Sequence, residues 1–466
     1  MSQVLDLLAE WMPKQRWYAA STTPAKLRLL GSFEFTTSGV DQVRLITVAI
    51  VYDAATDATY QVPLVVRDVD AEVEALGFIG PVREHGARAA LVDGCHDPAF
   101  VGALIKAIAD EQELAGENES VRAYGQPMPG ATVGQFVSSR VLQGEQSNTS
   151  IICEFRAGDG SAASPLIIKI FRRLHPGENP DVVLQTAIAA SGSYRVPPAF
   201  GALAGVWPDP SGQQVSGHLA FAAEYFFGVE DAWRVALRAA ERGDDFSQLA
   251  HSLGEATAEV HDVLQRVMPT VQPGRAIVRD AINQMRDRYR MAAEAVPELR
   301  QYADQINAVY DEAAGVEWPQ LQRIHGDYHL GQVLAVPDRG WVLLDFEGEP
   351  LRPLADRCAP DVPQRDVAGM LRSFDYVAGA LAVGSGQSQY AREWAQVARK
   401  AFLEGYRAGC SAAADAGSLT GAQARGREVL LRAYELDKAV YEALYEKQHR
   451  LDWLPIPVGA IAELLK

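Results

Sequence analysis

The chain has 466 residues, 48% of them hydrophobic, and a formal net charge of −17 at pH 7. This length predicts two or three domains with sizeable cores, and the negative charge argues against nucleic acid or an anionic membrane as a partner, because both bind clustered cations. The four cysteines are far apart, and neither a signal peptide nor a bilayer-spanning run is evident, so we expect a cytoplasmic protein without a zinc site or a disulfide framework.

The N-terminal part of the chain is predicted to form a separate small unit. It begins with a helix over residues 4–11. Strand-like runs over residues 43–52 and 59–66 flank a polar turn, which indicates a β-hairpin. Residues 124–130 contain two prolines and two glycines and are predicted to be a connector.

Strand signals give way to helix signals along the chain. The predicted elements that follow are strands over residues 135–141, 149–155 and 165–171, a helix over 181–190, a loop over 206–217 and a strand over 218–226. Helices are then predicted over residues 249–267, 281–295, 299–314, 366–380, 390–408 and 426–447. A β-rich half followed by a helical half predicts an α+β fold with two lobes, and a cleft between lobes is a common ligand site.

The stretch that begins at His325 carries the clearest chemical signal. Asp327 lies in a polar loop, Gln332 follows five residues later, and Asp345 ends an apolar strand. Phosphoryl transfer from ATP needs such a set: one carboxylate to orient and deprotonate an acceptor hydroxyl, and two oxygen ligands for Mg²⁺. We therefore predict Asp327 as the catalytic base and the other two as metal ligands. Taken singly, the three residues also fit a helix cap, a helix-surface glutamine and a strand-terminal acid in an ion pair.

Neighbouring residues of this stretch give less specific signals. His325 and His329 do not have the spacing of a zinc site. We expect them to hold the loop by hydrogen bonds, with contact to the acceptor as the alternative. Glu347 is a candidate for a further metal contact or for contact with the acceptor.

Lys169 interrupts an apolar strand, where a charged side chain is costly unless it is paired. We predict that it binds the phosphates of ATP, and an edge-strand lysine that reaches solvent is the alternative. The preceding polar turn contains Ser147, Asn148 and Thr149, whose hydroxyl and backbone N–H groups suit phosphate oxygens. Glu224 ends another apolar strand, whose backbone N–H and C=O groups are candidates for binding adenine.

Polar and aromatic residues recur at helical spacing in the last predicted helix. Tyr434, Lys438 and Tyr441 share one face of it. Tyrosines and charges suit a sugar, whose hydroxyls need hydrogen-bonding partners and whose C–H faces stack on rings. Glu435 and the upstream Arg372 join them as candidate sugar-binding residues. A solvated helix face with ion pairs is the equal alternative.

Together these motifs resemble the maltokinases of actinobacteria, a family of the aminoglycoside-phosphotransferase group with a protein-kinase-like fold. The similar segments are residues 15–19, 145–150, 325–334, 344–350, 365–369 and 434–442. The resemblance implies a bilobal fold. Its segments are an N-terminal cap subdomain at 1–90, the remainder of a β-rich N-lobe at 91–223 and a mostly helical C-lobe at 224–466.

The resemblance also implies an activity, the ATP- and Mg²⁺-dependent phosphorylation of maltose at its anomeric hydroxyl. Maltose 1-phosphate then feeds α-glucan synthesis from trehalose, with trehalose synthase as a candidate partner. Protein-kinase-like folds pair the phosphate-binding lysine with a glutamate of the next helix, and here Asp181 is the candidate partner. Two rivals stay open: the same kinase acting on another sugar such as glucosamine, and a non-catalytic nucleotide-binding partner of a glucan enzyme.

Overall fold

The computed structural model describes residues 2–19, 24–37, 42–68, 77–84, 87–116, 119–142, 148–349, 352–385, 388–413 and 420–466. The chain divides into two compact units, one of Met1–Thr186 and Pro197–Phe227, the other of Ala187–Val196 and Gly228–Lys466. The first unit is rich in β-strands and the second is mostly helical, which confirms the predicted α+β fold. Within the described ranges, no helix is long and apolar enough to cross a membrane.

One antiparallel sheet of the first unit is formed mainly by N-terminal residues. Its strands are β1 (Leu27–Phe35), β2 (Val43–Asp53), β3 (Ala58–Asp68), β4 (Phe78–Glu84) and β5 (Ala87–Asp93), in the order β1-β2-β3-β5-β4. The predicted hairpin corresponds to β2 and β3, which pair with each other. Helix α1 (Ser2–Trp11) contributes Leu8 to a core that also contains Tyr60 and Val62 of β3.

The second sheet of this unit contains the strands predicted to bind nucleotide. Its order is β6-β7-β12-β13-β10-β9-β8, with β6 (Glu113–Ala115), β7 (Arg122–Pro127), β8 (Gln135–Val141), β9 (Thr149–Arg156), β10 (Ala162–Ile170), β12 (Ala199–Pro208) and β13 (Gln214–Glu224). Strand β11 (Arg173–Leu174) instead pairs with β3, and helix α3 (Pro180–Ala190) follows it. Helix α2 (Pro98–Ala109) contributes Leu104 to a core shared with Ile46 of β2 and Ile168 of β10.

Two segments predicted as irregular are largely strand. Residues 124–130 overlap β7, because Gly125 serves close packing and not a turn. A Cβ atom at Gly125 would lie 2.0 Å from the carbonyl oxygen of Ala107 in α2. The predicted loop 206–217 contains the end of β12 and the start of β13, and Trp207 is buried there. Glycine and proline content alone therefore misassigned both segments.

The second unit is built of helices and one small antiparallel sheet. Its helices are α4 (Ala232–Arg242), α5 (Ser247–Val267), α6 (Arg275–Ala295), α7 (Ala303–Gly315), α8 (Leu354–Arg357), α9 (Gln364–Ser385), α10 (Ser388–Ala413), α11 (Gly421–His449) and α12 (Pro455–Leu464). The sheet contains β14 (Glu230–Asp231), β15 (Val333–Val336) and β16 (Gly340–Leu343). The β15–β16 hairpin begins six residues after Asp327, so the predicted catalytic loop leads directly into it.

Helix α11 is buried on several faces. Its apolar residues Leu436, Ala439 and Val440 share a core with residues of α6, α7 and α12. Its buried acids are Glu435, Asp437, Glu442 and Glu446. Buried carboxylates are costly unless they are paired, and the cations that pair with them determine which faces of α11 are available to a ligand.

Candidate active site

The loop that carries Asp327 is held by its own residues. Gly326 has φ +85°, a left-handed conformation that favours glycine. The His325 ring is buried, and its Nε2 donates to the carbonyl oxygen of Leu344 at 2.7 Å. Its Nδ1 accepts the Asp327 N–H at 3.4 Å. These contacts fit the loop-holding interpretation of His325, and they leave neither ring nitrogen for a substrate.

A buried carboxylate at the start of α9 fixes the same loop. The two oxygens of Asp366 accept the backbone N–H groups of His325 at 2.8 Å and Gly326 at 2.9 Å, and His261 Nε2 lies 3.0 Å away. Burial acts to raise the pKa of Asp366, but the contact with His261 and the other hydrogen bonds outweigh it and lower the pKa. Ionised Asp366 therefore stabilises the fold above its unfolded pKa of about 3.9, and this contribution is lost as pH falls through the lower folded value.

Helix α9 also contacts the loop one and two turns later. A Cβ atom at Gly369 would lie 2.5 Å from the carbonyl oxygen of Tyr328, so glycine permits this close approach. Ser373 Oγ accepts the N–H of Leu330 at 3.0 Å. Residues 366, 369 and 373 lie on one face of the helix, which explains why an acid, a glycine and a hydroxyl occur at this spacing.

Gln332 and Asp345 are adjacent at one end of the β15–β16 hairpin. Val333 pairs with Leu343, and Gln332 Nε2 donates to Asp345 Oδ2 at 3.0 Å. Asp345 has φ +62°, a costly conformation for a non-glycine residue that is often found at functional sites. The amide oxygen of Gln332 and the carboxylate of Asp345 are hard oxygen donors of the kind that Mg²⁺ prefers. The two residues therefore fit the predicted ion.

Asp327 lines a pocket of the second unit together with Tyr434, Lys438, Tyr441 and Glu349. Lys438 Nζ lies 2.5 Å from Glu349 Oε1 and 3.5 Å from Asp327 Oδ1. The Asp327 side chain is 25% exposed, so it remains accessible to a ligand. Three residues that helical spacing placed on one face of α11 are thus beside the predicted base.

The ion pair of Lys438 and Glu349 stays charged over a wide pH range. Burial acts to lower the pKa of Lys438, but the carboxylates of Glu349 and Asp327 outweigh it and raise the pKa above 10.5. Burial likewise acts to raise the pKa of Glu349, and Lys438 and Arg365 outweigh it, so that it falls from 4.5 to about 2. The stabilisation from Lys438 is complete below pH 10.5 and is lost at higher pH. That from Glu349 is complete above pH 4.5 and is lost as pH falls through about 2.

The remaining acid of the pocket is also paired. Asp437 accepts hydrogen bonds from Nε and Nη2 of Arg288, both at 2.8 Å. The guanidinium of Arg365 lies 5.0 Å from the ring centre of Tyr434, whose hydroxyl donates to Asp361 at 3.2 Å. Among the described residues that line the pocket, each carboxylate therefore lies beside a cation.

Two predicted sugar-binding residues face elsewhere. Arg372 is 1% exposed and donates to Glu442 at 2.8 Å and 2.9 Å and to Asp375 at 2.5 Å. Glu435 is buried and accepts from Arg399 at 2.6 Å. These contacts are with other protein residues, and the sugar-binding role of both stays a prediction. On α11, each residue is rotated by about 100° from the next, so Glu435 points to a different side than Tyr434. Glu435 therefore faces α10, away from the side of the helix that lines the pocket.

Lys169 of β10 forms the ion pair expected of it. Its Nζ lies 2.9 Å from Oδ2 of Asp181, which is fully buried. The other oxygen of Asp181 accepts a hydrogen bond from Gln185 Nε2 at 2.5 Å. This confirms the predicted pairing, with an aspartate near the start of α3 as the acid. Thr149 is the first residue of β9, the strand that pairs with β10, and Asn148 directly precedes it.

The structure gives only the placement of the other predicted residues. Glu224 ends β13, and its N–H donates to the carbonyl oxygen of Pro198 at 2.9 Å. That N–H is therefore engaged within the protein, and the binding of adenine by backbone groups of this strand stays a prediction. The carbonyl oxygen of Glu347 accepts from Arg357 Nη1 at 3.0 Å, and the role of its side chain stays a prediction. Ser147 lies outside the described residues.

Asp366, Glu349 and Arg288 were not predicted as functional residues. The first two lie in the similar segments 365–369 and 344–350, and an acid followed by glycine one turn later at a helix start is a usable signal for Asp366. Arg288 has no local signal, because its partner Asp437 is 149 residues away in the chain.

Two family models match the chain. One, described as the phosphotransferase enzyme family, matches residues 166–399. The other, described as the maltokinase N-terminal cap domain, matches residues 11–97.

Individual relatives are also similar to this chain. A glucosamine kinase of Streptacidiphilus jiangxiensis is 30% identical over 261 residues, which are 53% of this chain and 58% of that protein. A glucosamine kinase of Mycolicibacterium smegmatis is 29% identical over 168 residues, 36% of this chain and 40% of that protein. The chain thus matches less than two thirds of the length of each. A solved glucosamine kinase in complex with glucosamine, ADP and inorganic phosphate shares the fold, with a TM-score of 0.70 and 24% identity over 99% of both chains.

We expect Asp366→Asn to loosen the loop without unfolding the chain. The amide keeps the shape but presents NH₂ to one N–H donor, and leaving a buried donor unsatisfied costs about 1–3 kcal/mol. Chemical denaturation measures this loss, and hydrogen exchange should show faster exchange of the Gly326 amide. Glu446→Gln is the control, because Glu446 is equally buried and bonds Arg450 and Tyr376, away from the loop. Equal exchange of Gly326 in both variants would contradict the assignment.

Proposed function

This chain belongs to the phosphotransferase enzyme family, and we propose that it is an ATP-dependent kinase that phosphorylates maltose at the anomeric hydroxyl. The observation that carries the proposal is the pocket in which Asp327 lies beside Tyr434, Lys438 and Tyr441. There an acid that can accept a hydroxyl proton adjoins hydrogen-bonding groups and aromatic rings, which are the groups that recognise a sugar. Maltose 1-phosphate would supply α-glucan synthesis in the cytoplasm, with trehalose synthase as a candidate partner.

Asp327 is the proposed general base. Its backbone is fixed by His325 and by the N–H contacts of Asp366 with the loop, so the carboxylate is oriented before the sugar binds. The anomeric oxygen forms a bond to the γ-phosphorus of ATP as the bond from that phosphorus to ADP breaks, and the hydroxyl proton passes to Asp327. Lys438 balances the negative charge beside this oxygen.

Two further groups complete the proposed transfer. Gln332 and Asp345 would hold Mg²⁺ through oxygen atoms, and bound Mg²⁺ neutralises phosphate charge. Lys169, fixed by its ion pair with Asp181, would bind phosphate oxygens. An aspartate base, two oxygen ligands and a lysine are the set that direct in-line transfer requires, without a phosphoenzyme.

The charge of the pocket favours a neutral acceptor. An ammonium group needs an acid that no protein cation already neutralises. In the described pocket Glu349 is paired with Lys438, and Asp437 with Arg288. Asp327 also lies near Lys438. The hydroxyls of a neutral sugar can bond to these groups without separating the pairs. Among neutral sugars, the resemblance of the motifs to maltokinases selects maltose.

Glucosamine is the second candidate acceptor, because two relatives and one solved structure of the same fold are named glucosamine kinase. The match to a maltokinase cap domain does not include the acceptor pocket, since it covers residues 11–97. The two candidates differ chemically in one group, the amine.

A panel of sugars separates these candidates. We expect kcat/KM for maltose to exceed that for glucosamine by at least about tenfold, or about 1.4 kcal/mol, because the amine of glucosamine would approach Lys438. Coupled detection of ADP with maltose, glucose, glucosamine and N-acetylglucosamine measures this. A preference for glucosamine would overturn maltose as the acceptor while leaving the kinase assignment intact.

Asp327→Asn should abolish nearly all turnover, because the amide cannot accept the hydroxyl proton. Loss of general-base help costs on the order of 10² to 10⁴ in rate. Steady-state kinetics measures kcat, and calorimetry should show unchanged ATP binding. Asp338→Asn, at an exposed turn between β15 and β16, is the control and should retain full turnover. Turnover above a tenth of wild type in Asp327→Asn would contradict the assigned base.

Lys438→Met tests the charge argument directly. Without the cation, Glu349 and Asp327 are both left negative in the pocket, which disfavours a neutral sugar and favours an amine. We expect the ratio of kcat/KM for maltose over glucosamine to fall by at least about tenfold. Lys447→Met, at an exposed position on the same helix, should leave the ratio unchanged. A ratio unchanged in both variants would show that Lys438 does not select the acceptor.

A further inference from the structure

A chain of hydrogen bonds leads from the loop that carries Asp327 to helix α10. Asp366 holds that loop through two backbone N–H groups, and its Oδ2 also lies 3.0 Å from Nε2 of His261 in α5. The other ring nitrogen of His261, Nδ1, lies 3.0 Å from the hydroxyl of Tyr406 in α10. His261 is 5% exposed, and these two contacts account for both of its ring nitrogens. The proposed reaction gives no role to Tyr406.

The partners of His261 assign the tautomer of its ring. A neutral imidazole donates with one nitrogen and accepts with the other. Asp366 has a lowered pKa and, once ionised, only accepts, so Nε2 carries the proton and Nδ1 is the acceptor. Burial raises the pKa of Tyr406 well above its ordinary value of 10, so its hydroxyl keeps the proton that Nδ1 requires. Tyr406 therefore donates to His261, and His261 donates to Asp366.

Helices α5 and α10 lie close enough for this contact because glycines separate their backbones. A Cβ atom at Gly405 would lie 1.9 Å from the carbonyl oxygen of His251, and one at Gly254 would lie 2.1 Å from the carbonyl oxygen of Phe402. Gly405 directly precedes Tyr406 in α10. A larger residue at either glycine would push the helices apart, so the glycines place the tyrosine hydroxyl within reach of the imidazole.

Helix α5 supports the loop at a second point, four residues before His261. Thr257 Oγ1 lies 2.8 Å from the hydroxyl of Tyr328, the residue after Asp327, and both residues are buried. Thr257 itself donates to the carbonyl oxygen of Leu253 at 2.8 Å, so the Tyr328 hydroxyl is the donor in their contact. One turn of α5 thus carries two contacts toward the loop, and the one through His261 is completed from α10.

We propose that Tyr406 is a positioning residue for phosphoryl transfer. Its hydroxyl fixes the tautomer and the plane of the His261 ring, and the ring supplies Asp366 with a third N–H donor. Asp366 thereby keeps the loop in the conformation that orients Asp327. Tyr406 acts through two other side chains and does not touch a substrate. The inference rests on the proposed function, in which Asp327 is the general base.

Loss of the Tyr406 hydroxyl would leave a buried acceptor without its donor, which is costly. Nδ1 regains a partner only if the ring turns, and turning breaks the contact of Nε2 with Asp366. The loop then gains alternative conformations. The tyrosines that line the sugar pocket, Tyr434 and Tyr441, belong to α11 and lie outside this network. We therefore expect an effect on the rate of transfer and not on binding.

Tyr406→Phe is the primary test, and Tyr390→Phe is its matched control. Both remove one phenolic hydroxyl from α10, but that of Tyr390 donates to the carbonyl oxygen of Ala240 in α4 at 3.2 Å. For the preferred sugar of the panel, we expect Tyr406→Phe to lower kcat at least about fivefold, with KM and the Kd for ATP within about twofold of wild type. It should also speed hydrogen exchange of the Gly326 amide. Tyr390→Phe should change neither kcat nor this exchange.

A double-mutant cycle tests whether the effect passes through His261. His261→Phe keeps an aromatic ring but removes both nitrogen atoms, and it should lower kcat by itself. Adding Tyr406→Phe to it should lower kcat no further. A further fall of kcat equal to that of Tyr406→Phe alone would show that the hydroxyl acts by another route and would overturn the inference.

Nitrogen-15 NMR of the histidine rings tests the tautomer itself. The signals of His261 are those lost in His261→Phe, and in the wild type we expect a protonated Nε2 and an unprotonated Nδ1. A protonated Nδ1 would overturn the inference, as would equal exchange of Gly326 in the two tyrosine variants or an unchanged kcat in Tyr406→Phe. The NMR and exchange measurements need no turnover, so a wild type that phosphorylates no sugar contradicts the proposed function and leaves both decisive.

Discussion

The hydrogen bonds from two backbone N–H groups to Asp366 are the contacts on which the proposed active site depends. A loop that contains glycine has many conformations in the unfolded chain, and fixing it costs entropy. Asp366 offsets that cost with two charge-assisted bonds in a dry environment, where such bonds are strong. His261 extends the network, since its Nδ1 lies 3.0 Å from the hydroxyl of Tyr406 in α10. The position of Asp327 is thus tied to the packing of α5, α9 and α10.

A second constraint is the pairing of charge on α11. The chain is strongly acidic, with a net charge of −17, yet it places Lys438 and Arg288 in the pocket beside Asp327. Each of these cations is fixed by an acid, Glu349 for Lys438 and Asp437 for Arg288. The negative net charge and the locally balanced pocket therefore do not conflict, because charge in the site is set by contacts within a few ångströms and not by the total.

The sequence alone predicted which residues lie near one another where the partners are close together in the chain. Asp327, Gln332 and Asp345 lie within one loop and one hairpin, and the predicted pairing of Lys169 with Asp181 spans only twelve residues. Helical spacing likewise placed Tyr434, Lys438 and Tyr441 on one face.

Contacts across long chain separations were not predictable in this way. Arg372 and Glu435 were assigned to the sugar, although they bond residues of other helices that no local pattern identifies. Glu349 lies 89 residues from Lys438, and Asp366 lies 41 residues from His325. Their roles depend on how helices pack, and a single sequence gives periodicity but not the partner of each face. The prediction of a connector over residues 124–130 was wrong for a different reason. In a sequence, a glycine that permits close packing cannot be told from one that makes a turn.

The aspartate that pairs with Lys169 follows from how α3 begins. Aspartate is one methylene shorter than the glutamate of other protein-kinase-like folds, so its backbone must lie closer to the lysine. The start of α3 is fixed near β10 by Asn179, whose N–H donates to Nδ1 of His218 at 3.0 Å in β13, the strand that pairs with β10. The side-chain oxygen of Asn179 accepts the N–H of Asp181 at 2.9 Å. With the first turn of the helix held against the sheet, the shorter acid reaches the lysine, and the departure from the usual glutamate is compensated by the local backbone.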